Sequence, residues 1–112
     1  MSQLTTHILD TTKGKPAEGI TIVLFQQHED DWKQLTIGTT NADGRIPNLL
    51  QKDILLEPGV YKMKFETSEY FEKQGIHSFY PFVEIVFTIT GNEHYHVPLL
   101  LNPFGYSTYR GS

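Results

Sequence analysis

Apolar and polar residues alternate with a period of two along most of this chain. In Val60–Glu66, Tyr61, Met63 and Phe65 alternate with Lys62, Lys64 and Glu66. In Phe82–Thr90, Val83, Ile85, Phe87 and Ile89 alternate with Glu84, Thr88 and Thr90. Successive strand side chains point to opposite faces, so such runs predict antiparallel strands with one side on a core. Ile20–Phe25 is apolar at nearly every position, as in a strand covered on both sides. Trp32–Thr40 alternates more weakly, and Leu4–Leu9, His94–Leu101 and a short Tyr106–Arg110 complete the set. Turn formers fall between the runs: Lys13-Gly14-Lys15-Pro16, His28–Asp31, Asn41-Ala42-Asp43-Gly44, Glu57-Pro58-Gly59 and Asn102–Gly105. Thr67–Gln74 is the one expected helix, with Ser68 as its cap, Phe71 facing inward and Gly75 as its stop. Seven or eight short strands with regular turn signals predict an all-β sandwich.

Composition sharpens this picture. With 2 Ala against 12 Thr and 14 Ile plus Val, helix formers are scarce and β-branched residues abundant. The 112 residues suit a single domain, 1–112, with one core and no room for a separate cofactor domain. The absence of Cys excludes disulfides, a thiolate nucleophile and a Cys-ligated metal. A net charge of −4 argues against nucleic acid, which calls for a basic stripe. The apolar residues are too dispersed for a membrane span, and the amino-terminal stretch lacks the basic and apolar segments of a secretory signal. Arg110-Gly111-Ser112 is not the peroxisomal address. A cytoplasmic chain is expected.

The faces then single out a few polar residues. If Leu4 and Ile8 enter the core, Thr5, His7 and Leu9 leave it. If Tyr95, Val97, Leu99 and Leu101 enter the core, His94 and His96 leave it. Arg45 directly follows the Asn-Ala-Asp-Gly turn. His94 and His96 stand two strand residues apart, ~6.6–6.8 Å along the strand, close enough to share a metal with a third ligand. No zinc-protease helix motif or cysteine supports such a site, and none is assigned. His28 and His77 lie in polar or loop segments and are expected to be solvated. The carboxyl end keeps strand pattern to its last residues instead of fading into a polar tail. Such an end is expected to be packed, with its terminal carboxylate a placed group.

Three segments carry a resemblance. They are Leu4-Thr5-Thr6-His7-Ile8-Leu9-Asp10 with Gly14-Lys15-Pro16-Ala17, Thr40-Asn41-Ala42-Asp43-Gly44-Arg45, and His94-Tyr95-His96-Val97-Pro98-Leu99-Leu100-Leu101 running on to the closing Tyr109-Arg110-Gly111-Ser112. With them the chain closely resembles the 5-hydroxyisourate hydrolases, the transthyretin-related enzymes of urate breakdown. The resemblance implies a transthyretin-like sandwich of two four-stranded sheets with one short helix. It also implies a homotetramer, a dimer of dimers, with ligand sites in a shared groove. It implies that His7, Arg45, His96 and Ser112 are catalytic, and that Tyr109 and Arg110 shape the groove and contact substrate. The substrate would be a small oxidised purine whose cyclic amide is opened by water, with no metal or organic cofactor. His96 is taken as the base, with His7 positioning the substrate or donating a proton. The sequence does not distinguish these two roles. The rival reading is a transthyretin-like carrier of a small ligand without catalysis.

Overall fold

A computed structural model of the chain describes residues 2–111. The strands are β1 (Leu4–Asp10), β2 (Lys15–Pro16), β3 (Thr21–His28), β4 (Asp31–Thr39), β5 (Gly59–Phe65), β6 (Val83–Ile89), β7 (Tyr95–Asn102) and β8 (Gly105–Thr108), with α1 (Thr67–Glu72) between β5 and β6. They form two four-stranded sheets in the orders β2-β1-β7-β8 and β4-β3-β5-β6. The period-two residues fill the space between them. Leu4 and Ile8, Ile22 and Leu24, Tyr61, Met63 and Phe65, and Tyr95, Val97, Leu99 and Leu101 are all buried. Each such large side chain contributes about 1.5–3 kcal/mol by leaving water.

Three expectations are corrected. Lys15–Pro16 does not merely close β1. It pairs back onto Leu9 and Asp10 as a two-residue strand. The strands are not all antiparallel, because β1 runs parallel to β7. No hairpin joins these two remote segments, so no turn imposes their relative direction. Ser68 does not cap α1: the N-cap is Glu66, without a side-chain cap hydrogen bond. The Glu66 amide donates to the Thr21 carbonyl at 2.9 Å, so β5 passes directly into the helix and its sheet partner takes the place of a cap. Phe71 is buried as expected, and Gly75, at φ 69°, ends the turn.

The helix is tied to the strand that carries His7. Tyr70 donates its hydroxyl to the buried Asp10 carboxylate at 2.7 Å, and Asp10 also accepts the Lys13 amide at 3.1 Å. Burial, then the bond to Asp10, pushes the Tyr70 hydroxyl up to about 12. Among the described residues no helix is long and apolar enough to cross a membrane.

Candidate active site

The parallel register of β1 on β7 builds the site. Thr5 lies beside His96 and His7 beside Pro98. Leu4, Thr6 and Ile8 are buried while Thr5 and His7 are half-buried, and Tyr95 and Val97 are buried while His96 is half-buried. Both histidines therefore stand on the outer face of the sheet, as alternation requires. They come from segments about 90 residues apart, brought together by strand pairing.

A tight turn brings in Arg45. The Asn41 side chain accepts the Asp43 and Arg45 amides at 2.9 and 3.2 Å, and the Gly44 amide donates to the Asn41 carbonyl at 2.9 Å. Asn favours this role because its side chain can mimic a backbone acceptor two residues on. Gly44 sits at φ 72°, and a Cβ there would come 2.4 Å from the Ile8 carbonyl oxygen and 3.3 Å from His7 Cδ2. Only glycine lets the turn press onto β1, where the Ile8 amide donates to the Gly44 carbonyl at 2.9 Å. Arg45 thus starts beside His7. A hollow of about 310 Å³ opens beside Arg45, walled by Thr5, Asn41, Asp43 and Arg45; neither His7 nor His96 lines it. A larger cavity of about 490 Å³, by Leu35, Ile54 and Leu55, contains none of these residues.

The electrostatics follow from this crowding. Burial and then the Arg45 guanidinium hold His7 below the ordinary imidazole range, partly countered by a hydrogen bond to the Asp43 main chain. Burial, then Arg45, His94 and His7, hold His96 below it as well, partly countered by the Thr5 main chain. Two imidazoles depressed below about 6.5 are neutral at neutral pH and can take up a proton. The Arg45 guanidinium offers a planar fork of donors.

The chain end closes on His96. Beyond β8, the Gly111 amide donates to the His96 carbonyl at 2.8 Å. A Cβ on Gly111 would come 2.6 Å from His96 Cδ2, so the main chain lies against the ring. Ser112 falls outside the described residues. Tyr109 and Arg110 are not with the three. They line the open edge between the sheets with Val86, Phe87 and Tyr95. The Arg110 guanidinium sits 4.3 Å from the Tyr95 ring centre and 3.8 Å from Glu93. His28 and His77 are exposed.

Sequence reasoning missed a link between Thr5 and both β7-side histidines. Thr5 Oγ1 is 2.8 Å from His96 Nδ1 and 2.9 Å from His94 Nε2. The signal was available, since Thr5 shares a face with His7 and His94 shares one with His96. Among the described residues no cluster of three or more His, Asp or Glu could hold a metal.

The chain can now be set beside known proteins. A family profile described as HIUase/Transthyretin family matches residues 4–111. A 5-hydroxyisourate hydrolase of Mus musculus is 48% identical over 114 residues, covering 99% of this chain and 96% of the relative. The structure of Klebsiella pneumoniae 5-hydroxyisourate hydrolase superposes with a TM-score of 0.86 at 40% identity, covering 99% of this chain and 100% of that one. Sea bream transthyretin in complex with thyroxine superposes with a TM-score of 0.91 at 37% identity, covering 97% and 94%. A shared sandwich thus occurs both in a named hydrolase and in a transthyretin that holds thyroxine, so fold alone does not select an activity. By sequence over nearly its whole length and by fold, the chain belongs to the HIUase/Transthyretin family.

Proposed function

We propose that this protein is a hydrolase that opens the ring of 5-hydroxyisourate to 2-oxo-4-hydroxy-4-carboxy-5-ureidoimidazoline. The observation that carries the reading is the meeting of His7, Arg45 and His96 on one outer sheet face, both imidazoles depressed by burial and a shared guanidinium. Opening a cyclic amide calls for a base for water, charge stabilisation for the tetrahedral oxyanion and a proton for the leaving nitrogen. Neutral His96 removes a proton from water as the oxygen attacks the carbonyl carbon. Arg45 donates to the developing oxyanion and to the flat substrate's oxygens. His7, against which the Asn41–Arg45 turn packs, orients the substrate or relays the proton taken up by His96 to the leaving nitrogen as the C–N bond breaks.

The reading includes the chain end and the assembly. Gly111 on His96 supports Ser112 as a group that orients water or the imidazole. Tyr109 and Arg110 shape the groove and contact substrate in the assembled protein. The assembly is a homotetramer, a dimer of dimers of this single domain 1–112. The chain acts in the cytoplasm.

The test is the absorbance decay of freshly generated 5-hydroxyisourate with and without protein. Catalysed decay, lost in His96→Ala, is the expected result. Tight binding of the oxidised purine without turnover would turn the reading into that of a small-ligand carrier. Sedimentation at micromolar concentration should show four chains of 12.9 kDa each.

A further inference from the structure

One contact on the outer face of β1 and β7 has no part in the chemistry above. The Thr5 hydroxyl bridges His96 Nδ1 at 2.8 Å and His94 Nε2 at 2.9 Å. The two rings stack with centroids 6.3 Å apart and planes 22° from parallel. The loop presenting His94 is held from both sides. The Tyr95 hydroxyl accepts the Thr90 and Gly91 amides at 3.0 and 3.1 Å. The Gln3 side chain donates to the Gly91 carbonyl at 3.0 Å, and the Tyr95 amide donates to the Gln3 carbonyl at 2.7 Å. His94 therefore reaches Thr5 from a fixed place.

A hydroxyl carries one proton, so at most one imidazole accepts from it and the other must donate to it. With that proton kept within the bridge, two arrangements are left. In one, His96 Nδ1–H donates to Oγ1, the hydroxyl donates to His94 Nε2, and His96 Nε2 keeps its lone pair. In the other, every bond is reversed, and the proton on neutral His96 occupies Nε2, which then cannot act as a base. Only the first leaves His96 with a basic nitrogen outside the bridge, as the hydrolase reading requires. With Nδ1 engaged and the Cδ2 edge covered by Gly111, Nε2 is the polar atom left for the groove.

We propose that Thr5 and His94 are positioning residues that lock the tautomer of His96: His94 Nε2 accepts the Thr5 proton, Thr5 accepts His96 Nδ1–H, and His96 Nε2 is left as the basic atom. The proposal rests on the Thr5 bridge for its geometry and on the hydrolase reading for the choice of tautomer and its catalytic consequence. It follows the general rule that the second ring nitrogen of a catalytic histidine is set by its hydrogen-bond partner.

Imidazole ¹⁵N shifts of the free protein test it directly at about pH 8.5, roughly two units above the ordinary imidazole value. The expected spectrum shows His96 protonated at Nδ1 and His94 bare at Nε2. Protonation of His96 at Nε2 would overturn the lock. Because no substrate is present, that failure is separate from a failure to hydrolyse, which would overturn only the hydrolase reading. In kinetics, Thr5→Val should lower kcat roughly 10- to 100-fold while KM stays within about twofold. Thr5→Ser keeps the hydroxyl and should hold kcat within about threefold of the parent. His94→Phe should behave like Thr5→Val. Unchanged kcat in both Thr5→Val and His94→Phe would also overturn the proposal. If Thr5→Val does not fold, the parent spectrum and the half-exposed His94→Phe still decide.

Discussion

The outer faces of the two sheets carry similar polar alternation but opposite electrostatics. On the β4-β3-β5-β6 sheet the charges are neutralised in place. Lys62 Nζ is 3.1 Å from Glu84 and lies 4.5 Å from the Trp32 ring centre and 5.0 Å from that of Phe25. Lys64 is 3.2 Å from Glu66 and 4.5 Å from the Phe82 ring centre. On the β2-β1-β7-β8 sheet, His7 and His96 meet Arg45, and among the described residues no salt bridge involves any of the three. There burial, and then the positive field of Arg45, keep two half-buried imidazoles neutral. A face that pairs its charges is a solvated skin. A face that leaves one cation beside neutral bases holds groups ready to move protons.

The strongest way to break this contrast is to remove the wall of the reactive face. Deleting Tyr109–Ser112 takes Gly111 off His96 and should abolish hydrolysis, while circular dichroism still shows a folded sandwich. Retained activity would reduce the chain end to a structural role. Next, His96→Ala should lower kcat/KM by about 10²–10⁴-fold, and Arg45→Ala comparably, measured by substrate decay. The pH profile sharpens the comparison. Because the native histidines lie below the ordinary value of about 6.5, activity should persist as pH falls to that value and decline only below it. Removing the neighbouring positive charge raises an imidazole pKa, so the acid limb of Arg45→Gln should move to higher pH. An unmoved limb would show that Arg45 does not set the field. The smallest effects belong to the paired face. Lys62→Met should leave kcat/KM unchanged and cost about 1 kcal/mol or less in denaturant unfolding. His28→Ala and His77→Ala should change neither activity nor stability measurably, both being exposed.

Much of this was legible in the residues. The alternation in Leu4–Asp10 and Tyr95–Asn102 placed His7 and His96 outside the core, and their half-buried positions agree. The Asn41–Arg45 turn was legible because each residue type has a local reason to be there. β2 was not, since two residues are too few to show a period. The start of α1 was misread at Ser68 because the helix takes its first support from Thr21, on another strand. The Thr5 bridge was hidden for the same reason: its partners lie 89 and 91 residues away.

The sequence by itself determined which side chains leave the core, because a pleated strand sends successive residues to opposite faces whatever strand lies beside it. It also determined where the chain turns, because Asn and Gly act through their own backbone angles. Only the tertiary structure decided that β1 lies parallel to β7 with Thr5 opposite His96, and that Gly44 presses on Ile8 to set Arg45 beside His7. Pairing between remote segments depends on how both sheets close over one shared core. No local preference of residues 4–10 or 95–102 encodes that register, and the chemistry exists only once it is formed.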